Sequence, residues 1–166
     1  MTKIPLAPGG TYGADLSPDG RVVATGNGDG SVRLFDSATG RLLDTLEGHQ
    51  DLGFFVRFSE SGDRLISVAL DRTARVWDVH TGRQIAVLAH AGLVQDADFF
   101  HEDYAVTADS EGVARIWSIA SGEVVSELVG HDDHLTFLVV DQTNDKIATA
   151  SDDGTVRICD PVAARA

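Results

Sequence analysis

The sequence predicts an all-β protein made of four copies of one unit, and three observations lead to that prediction. An aromatic position recurs at intervals of 42, 40 and 42 residues, at Phe35, Trp77, Trp117 and, in the last copy, Cys159. Arginine stands two residues before each of these positions, and histidines lie 41 residues apart at His49, His90 and His131. Between these landmarks, short β-branched and aromatic runs alternate with turn sequences, without helical periodicity.

The second copy shows the unit most clearly, as four short strands in hairpin order. The strand sequence FFVRF is followed by a turn at SESGD, and RLISVAL ends at a tight Asp71-Arg72 turn. The sequence ARVWDV then leads through His80-Thr81-Gly82 into the outer strand, RQIAVL. The first copy starts its inner strand near Tyr12–Leu16 and has SPDG and GDG at the same two turns. Such turn chemistry at regular spacing is typical of antiparallel hairpins.

The two ends of the chain depart from this unit in opposite ways. The fourth copy stops after its third strand at Asp160, because PVAARA is a poor fourth strand. At the front, KIPLA at Lys3–Ala7 aligns with the outer strand DTLEG, and Pro5 suits an outermost strand, where its missing N–H can face solvent. We therefore predict one domain over residues 1–166, with repeats at 8–48, 49–89, 90–130 and 131–160 and a spare outer strand at 3–7 that completes a last sheet.

The chain resembles the WD40 repeat family. The Trp-Asp pair Trp77-Asp78 and the Gly-His pairs Gly48-His49 and Gly130-His131 carry the resemblance, which covers essentially the whole chain. The resemblance implies a β-propeller, in which four-stranded antiparallel blades stand around a channel. With four repeats, this chain would supply four blades, where propellers of this family usually contain roughly seven or eight.

The resemblance also implies a hydrogen-bonded set in each blade. Its members are a histidine before the first strand, a hydroxyl on the second, an aspartate in the next turn and the tryptophan of the third. The imidazole can link the carboxylate to the hydroxyl, and the buried indole N–H needs an acceptor. The second repeat has the full set, His49, Ser67, Asp71 and Trp77.

The other three repeats each depart from this set. The third repeat has His90, Thr107 and Trp117, with Glu111 in place of the aspartate. The fourth has His131, Thr149 and Asp153, with Cys159 in place of the tryptophan. The first keeps Thr25 and Asp29 but has Phe35, and Ala7-Pro8 stands where the histidine should be. Ser151 and Asn27 compete for the hydroxyl role at nearby positions of the same face.

The remaining chemistry of the sequence points to structure rather than catalysis. The sequence HDDH, from His131 to His134, has the residue types of a metal site. The reading we favour is a loop before a first strand, with His131 structural and its neighbours solvated. No nucleophile elbow, phosphate-binding loop or zinc motif is present. We therefore predict no catalytic residue, no metal and no cofactor.

Composition limits the partners that the protein can have. Its net charge of −13 repels a phosphate backbone, and no cluster of Lys or Arg offsets that charge, so we expect no nucleic-acid partner. No apolar run reaches the roughly 18 residues of a membrane span, and MTKIPLAPGG lacks the apolar segment of a secretory signal. A single cysteine, Cys159, excludes an internal disulfide and suits a reducing cytoplasm, where we expect the protein.

Four blades alone would leave an apolar face uncovered at each end of an arc. At about 25 cal/mol per Å², roughly 500 Å² of exposed apolar surface costs about 12 kcal/mol per face, which rivals the stability of a typical domain. Two chains could join about a twofold axis into an eight-bladed ring, each lending Lys3–Ala7 to the other's last blade. One chain could instead close as a four-bladed ring, or another polypeptide could supply the missing blades. We favour the homodimer, since one symmetric interface covers both faces.

The resemblance implies a protein-interaction platform, because rigid blades carry loops that are free to vary at one rim. The candidate contact residues on the rim with the histidine-containing loops are Asp51, Leu52, Phe54, Leu70, Leu93, Gln95, Ser110, Asp133, His134 and Asp152. Their mixture of acidic and apolar groups favours a basic peptide or protein surface with an apolar anchor. The alternatives are a regulatory or sensor segment of a larger, bacterial-type signalling protein and, less favoured, a propeller enzyme.

Overall fold

A computed structural model describes residues 3–4 and 9–161, and this part of the chain forms four antiparallel sheets, which we call blades 1 to 4. Blade 1 contains β1 (Thr11–Leu16), β2 (Val22–Asn27), β3 (Val32–Asp36) and β4 (Leu42–Leu46). Blade 2 contains β5 (Gly53–Phe58), β6 (Arg64–Ala69), β7 (Thr73–Asp78) and β8 (Gln84–Ala89). Blade 3 contains β9 (Val94–Phe100), β10 (Tyr104–Asp109), β11 (Ala114–Ser118) and β12 (Glu123–Leu128). Blade 4 has three described strands, β13 (Leu135–Asp141), β14 (Lys146–Ser151) and β15 (Val156–Cys159).

The turns between the second and third strands lie against the loop that begins the next blade. Gly30 and Gly112 occupy equivalent positions in these turns, with φ angles of +81° and +78°. A Cβ at either position would lie 2.8 Å from a backbone carbonyl, that of Asp51 or of Asp133. Two features therefore require glycine at each position: the left-handed backbone and the close approach of the next blade.

Three apolar layers join the four blades in a row. In the first two layers, side chains from the second, third and fourth strands of one blade pack on the first three strands of the next. In the third layer, side chains from the first three strands of blade 3 pack on the first two strands of blade 4. The largest members of the layer between blades 1 and 2 are Leu34, Leu46, Phe58, Leu65 and Trp77. The largest between blades 2 and 3 are Ile66, Leu88, Phe99, Trp117 and Ile119. Between blades 3 and 4 they are Phe100, Ile116, Leu135, Leu138 and Ile147.

A polar link crosses each of these apolar layers near the inner strands. The Asp15 carboxylate accepts a hydrogen bond from the Phe58 N–H at 2.8 Å, and Asp96 accepts one from the Leu138 N–H at 2.9 Å. Between blades 2 and 3, the Arg57 guanidinium donates to Asp98 at 2.6 Å. Burial raises the pKa of Asp96 and of Asp98, although Arg57 partly offsets that effect. These links fix the relative register of neighbouring blades in a way that apolar packing alone does not.

The two ends of the row are uncovered. One repeated position on the third strand shows this directly: Leu34 is 2% exposed, Val76 0% and Ile116 3%, but Ile158 in blade 4 is 73% exposed. Val156, Phe137 and Val139 on the same blade are also exposed, as are Tyr12 and Leu16 on β1. Within the described ranges, no strand of blade 4 packs extensively on a strand of blade 1, so the row is an open arc.

The predicted all-β architecture of antiparallel blades is confirmed. Of the predicted spare strand at 3–7, Lys3 and Ile4 are described and do not belong to a strand, whereas residues 5–7 lie outside the described residues. The described part of the chain contains no helix that is long and apolar enough to cross a membrane.

The apolar layers between blades predict that truncation of a buried side chain lowers the free energy of unfolding more than truncation of a loop side chain. Leu88→Ala opens a cavity between blades 2 and 3, and we expect it to lower the free energy of unfolding by about 2–5 kcal/mol in urea titrations. The control is Val129→Ala in the loop after β12, where a 69% exposed side chain makes few contacts, and its effect should stay within about 0.5 kcal/mol. Equal losses from the two variants would contradict a stability based on packing between blades.

Candidate functional site

The set of polar side chains in blade 2 forms one continuous chain of hydrogen bonds. The indole N–H of Trp77 donates to Ser67 Oγ at 2.8 Å, and Ser67 Oγ lies 2.8 Å from His49 Nε2. His49 Nδ1 lies 3.0 Å from an oxygen of Asp71, which in turn accepts the N–H of Gln50. Since Ser67 accepts from the indole, its own proton goes to Nε2, and His49 therefore carries its proton on Nδ1 toward the carboxylate.

Burial and hydrogen bonding act in opposite directions on the two titratable groups of this chain. Burial lowers the pKa of His49, and the opposite effect of Asp71 does not overcome it. Burial alone would raise the pKa of Asp71, but hydrogen bonds from Thr73, the Gln50 N–H and His49 outweigh it and the pKa is lowered. The pair therefore consists of a neutral imidazole and a carboxylate at neutral pH. Such a pair suits a structural link between the loop, the second strand and the turn.

Blade 3 uses a different carboxylate from the one predicted. We expected Glu111 to stand in the aspartate position, but His90 Nδ1 lies 3.0 Å from Asp109, and Glu111 is exposed. Asp109 is the last residue of β10 and is fully buried, and its other oxygen accepts the N–H groups of Glu111 and Val113. A shorter side chain at the strand end thus reaches the imidazole from inside the blade, whereas Glu111 leaves the turn toward solvent.

The rest of the set in blade 3 is incomplete. The Trp117 indole N–H donates to Thr107 Oγ1 at 2.8 Å, as in blade 2. Within residues 3–4 and 9–161, the Nε2 atom of His90 is buried without a hydrogen-bond partner, and the His90 side chain is 0% exposed. Arg115 instead donates to the Asp109 carboxylate, which ties the third strand to the same group. Blade 3 therefore replaces one link of the chain with an ion pair.

Blades 1 and 4 each lack one end of the chain of hydrogen bonds. In blade 4, His131 Nδ1 lies 2.8 Å from Asp153 and Nε2 lies 2.9 Å from Thr149 Oγ1, but Cys159 offers no indole. Hydrogen bonds from Thr155 hold the pKa of Asp153 below its usual range. Ser151, the competing hydroxyl, lies apart from this chain and donates to the Asp133 carbonyl at 3.0 Å.

In blade 1, the buried side chain of Asn27 forms the hydrogen bonds at the centre of the blade. Its amide donates to the carbonyl of Ser31 at 2.9 Å, and its oxygen lies 3.3 Å from Thr25 Oγ1. Asp29 accepts hydrogen bonds from Ser31 and Arg33 instead of from an imidazole. Ala7 and Pro8, where the histidine is missing, lie outside the described residues. Asn27 and Asp109 occupy the same position at the end of the second strand, and the sequence signal for both is a polar residue directly before the turn.

The ten rim residues lie along the loops and turns at one edge of the blades but do not converge on one centre. Backbone bonds join the loops to the turns of the same blade, from the N–H of Leu70 to Leu52 at 3.0 Å and from that of Ser110 to Leu93 at 2.8 Å. Phe54 is half-buried against the layer between blades 2 and 3, as part of the core rather than of a free rim. Asp51, Leu70, Leu93, Asp133, His134 and Asp152 are exposed, and Leu52, Gln95 and Ser110 are half-buried.

The side chains of HDDH do not form a metal centre. His134 Nδ1 lies 3.7 Å from Asp133 and 4.0 Å from Asp152, while His131 is engaged within its blade. Over residues 3–4 and 9–161, no group of three or more His, Cys, Asp or Glu side chains is placed to hold a metal ion.

The chain of hydrogen bonds in blade 2 predicts that the hydroxyl of Ser67 contributes strongly to the free energy of unfolding. Ser67→Ala leaves the Trp77 indole and His49 Nε2 unsatisfied, and we expect a loss of about 2–4 kcal/mol in the free energy of unfolding. Thr25→Val is the matched control, because it removes the equivalent hydroxyl of blade 1, where no indole or imidazole depends on it. Its loss should not exceed about 1 kcal/mol in the same urea titration. A similar loss in both variants would show that the chain of hydrogen bonds adds no stability beyond that of a single hydroxyl.

The lowered pKa of His49 predicts a pH dependence of stability. Below its ordinary value of 6.5, the unfolded chain binds a proton that the folded chain refuses, so stability falls as the pH falls. From about pH 7.5 to about pH 5.5, the wild type should lose more stability than His49→Asn, by up to about 1.4 kcal/mol per pH unit. His80, whose pKa is raised by Asp63, has the opposite effect but is common to both proteins. Parallel curves for the two proteins would be incompatible with a neutral, buried His49.

Comparison with solved structures agrees with the architecture described above. The chain superposes on the computationally designed Ika4 protein with a TM-score of 0.84 and 24% identity, covering 95% of each chain. It superposes on the designed Ika8 protein with a TM-score of 0.83 and 24% identity, covering 95% of this chain but 48% of that one. At this level of identity, the likeness concerns the fold alone.

Several curated proteins are similar in sequence. WD repeat-containing protein 55 of Arabidopsis thaliana is 28% identical over 153 residues, which cover 89% of this chain and 43% of that protein. Serine-threonine kinase receptor-associated protein of Gallus gallus is 27% identical over 147 residues, or 87% of this chain and 42% of that protein. Apoptotic protease-activating factor 1 of Mus musculus is 24% identical over 138 residues, 83% of this chain and 11% of that protein. The chain thus spans less than half the length of these relatives.

The family model described as "WD domain, G-beta repeat" matches residues 8–36, 40–78 and 122–160. The unmatched stretch between 78 and 122 contains most of blade 3, the blade in which Asp109 replaces the usual aspartate and Ser118 follows Trp117. Its strands nevertheless have the same order and pairing as those of the matched blades. The chain belongs to the WD40 repeat family.

Proposed function

We propose that this chain is a non-catalytic protein-interaction scaffold whose propeller is completed by a second copy of the chain. WD40 repeat proteins are generally scaffolds for protein interactions. The observation that carries the proposal is the exposure of Ile158 at a repeated position that is buried in blades 1, 2 and 3. A side chain that is apolar in all four repeats but uncovered in the last one needs a neighbour from outside the chain.

The two ends of the arc are chemically suited to each other. The outward face of blade 4 presents Ile158, Val156 and Phe137, and the outward face of blade 1 presents Leu16. These are the same two faces that pack together at every internal junction. A twofold axis places both pairs of ends in contact at once, so a single type of interface covers all the exposed surface.

The residues of the inner strands favour an apolar contact at the junction between two copies of the chain. Asp15, Arg57 and Asp98 occupy one repeated position of the inner strands. Asp15 and Arg57 carry polar links to the next blade, and Asp98 accepts the link from Arg57. Blade 4 has Val139 there, beside the exposed Phe137. The junction between two copies would therefore lack the polar link of the internal junctions and depend on apolar burial, which is typical of homodimer interfaces.

Residue spacing supports an exchange of the first residues between the two copies. Leu46 and Leu128 stand seven residues before the inner strand of the next blade, at Gly53 and Leu135, and Ile4 stands seven residues before Thr11. Ile4 would thus take, beside β15 of the partner, the place that Leu46 takes beside β3. The proposal that Lys3–Ala7 completes the last blade of the other copy rests on this spacing.

The main alternative is a segment of a longer protein, because the curated relatives are more than twice as long as the matched region. In that arrangement, further blades of the same polypeptide would cover Ile158 and Leu16, and the chain would act as a regulatory or sensor part of the whole. The superposition on 48% of the Ika8 chain is compatible with both arrangements, since each needs four blades that form about half of a larger assembly. A cytoplasmic location is part of the same proposal.

Solution mass distinguishes these arrangements. We expect light scattering to give about 35 kDa at micromolar concentration, twice the 17.6 kDa of one chain. Ile158→Asp should shift the protein to one chain, because a carboxylate cannot be buried in the apolar junction. Val129→Asp is the control, at a similarly exposed apolar residue outside the end faces, and should leave the mass unchanged. A single 17.6 kDa species of the wild type that melts cooperatively would reject the homodimer.

The exposed rim predicts where a protein partner binds. Leu70→Asp places a charge at a 40% exposed apolar rim residue, and we expect it to weaken the binding of a partner isolated with the wild type by at least about tenfold. Ile85→Asp, at a 41% exposed residue of the outer strand β8, is the control and should retain that partner. If folded Leu70→Asp binds the partner as the wild type does, this rim is not the interface.

A further inference from the structure

A cavity of about 430 Å³ lies between blades 1 and 2, at the edge opposite the rim residues. The apolar part of its lining comes from Pro18, Val22, Leu34, Leu43 and Val79. Leu34 belongs to the layer between the two blades, so the inner end of the cavity continues into the core. The cavity lies within one chain and does not involve either end of the arc.

Three carboxylates line the same cavity, those of Asp19, Asp44 and Asp63. Asp44 accepts a hydrogen bond from the neighbouring N–H of Thr45 at 2.8 Å and, in the described part of the chain, from no other donor. Asp63 contacts the exposed His80 at 2.9 Å. Asp19 lies 3.8 Å from Arg21, whose side chain is 84% exposed. Among the described residues, no Lys or Arg side chain lines the cavity, and the one imidazole of the lining, that of His80, is paired with Asp63. The cavity therefore combines an apolar interior with an acidic opening.

The cavity exists because one repeated position at the start of the second strand carries a short side chain. Val22, Arg64 and Tyr104 occupy that position in blades 1, 2 and 3. Arg64 extends across the junction between blades 2 and 3 and donates to the backbone carbonyl of Glu102. The chain thus places a guanidinium of its own in the space that corresponds, one junction later, to the cavity beside Val22.

We propose that this cavity binds an arginine side chain of a partner protein. The methylene groups of arginine would lie against Val22 and Leu43, and its guanidinium would donate to Asp44 and Asp63 at the opening. Arginine fits better than lysine, because its planar fork can donate to two carboxylates. Arg64 also shows that a guanidinium fits the matching space of the next junction, where it donates to a backbone carbonyl. The source of the side chain rests on the proposed scaffold function, whereas the cavity itself is independent of homodimerisation.

The test uses N-acetyl-arginine amide as a probe and follows the backbone amides of the ¹⁵N-labelled protein by NMR. We expect saturable shifts at Gly62, Val79 and Gly82, which lie in or against the cavity. N-acetyl-citrulline amide has nearly the same shape without the charge, and it should bind at least about tenfold more weakly. Asp44→Asn should weaken binding of the arginine probe in the same direction, without filling the cavity.

A second pair of variants distinguishes the effect of filling the cavity from the effect of an added positive charge. Val22→Arg places an arginine in the cavity from within, as Arg64 does at the next junction, and should abolish the shifts caused by the probe. Leu42→Arg adds the same charge to the same blade at an exposed residue outside the cavity lining, and should retain them.

Three results would overturn the proposal: no saturable shift with the arginine probe, equal binding of the citrulline probe, or loss of binding in Leu42→Arg as well. If Val22→Arg does not fold, the comparison of the two probes on the wild type and Asp44→Asn decides. A failure here leaves the solution mass of the wild type unaffected, so it is distinguishable from a failure of the proposed homodimer.

Discussion

The structure depends on one constraint: the apolar face of each blade must be covered by the next blade. A blade is a small twisted sheet with an apolar surface on both sides, and such a sheet is not stable by itself in water. Ile66 and Trp77 on opposite faces of blade 2 illustrate this, since each is almost fully buried by a different neighbour. Burial is therefore a property of the junctions, and a row of four blades has three complete junctions and two incomplete ends.

The hydrogen-bonded sets inside the blades are secondary to this packing. Blade 2 has an unbroken chain from Trp77 to Asp71, whereas blade 3 leaves one imidazole nitrogen unpaired and blade 1 uses Asn27. All these variants maintain the same strand order. The sets fix the second strand, the turn and the preceding loop relative to one another, and several polar arrangements can do so. By contrast, one third-strand position at the junctions is apolar in all four blades, at Leu34, Val76, Ile116 and Ile158, because a gap or an unpaired polar group there would be costly.

The sequence period predicted the strands and turns, because both follow from local residue patterns that repeat in every copy. The same period misassigned the carboxylate of blade 3. Glu111 follows Thr107 at the same sequence distance as Asp71 follows Ser67, so the two acidic residues align. Whether the carboxylate comes from the turn or from the strand end depends on side-chain length and on space inside the blade. The cavity beside Val22 was also missed, because it reflects the size of one side chain relative to Arg64 and Tyr104 in the folded junctions. Such comparisons need to know which positions share a junction.

Val22 and Ile158 both depart from the repeat, and they do so in complementary ways. Repeated positions have repeated surroundings, so a difference in burial or in size at one copy marks a place where the chain is incomplete. At Ile158 the apolar side chain is retained but its cover is absent, whereas at Val22 the cover is retained but the side chain is too short to fill the junction. The first kind of incompleteness is satisfied by a whole apolar face, which only another blade supplies. The second is satisfied by a single side chain, and the acidic opening beside Val22 selects a basic one. A scaffold built from repeats can in this way hold two partners by different means, one as a further part of the ring and the other as a ligand of it.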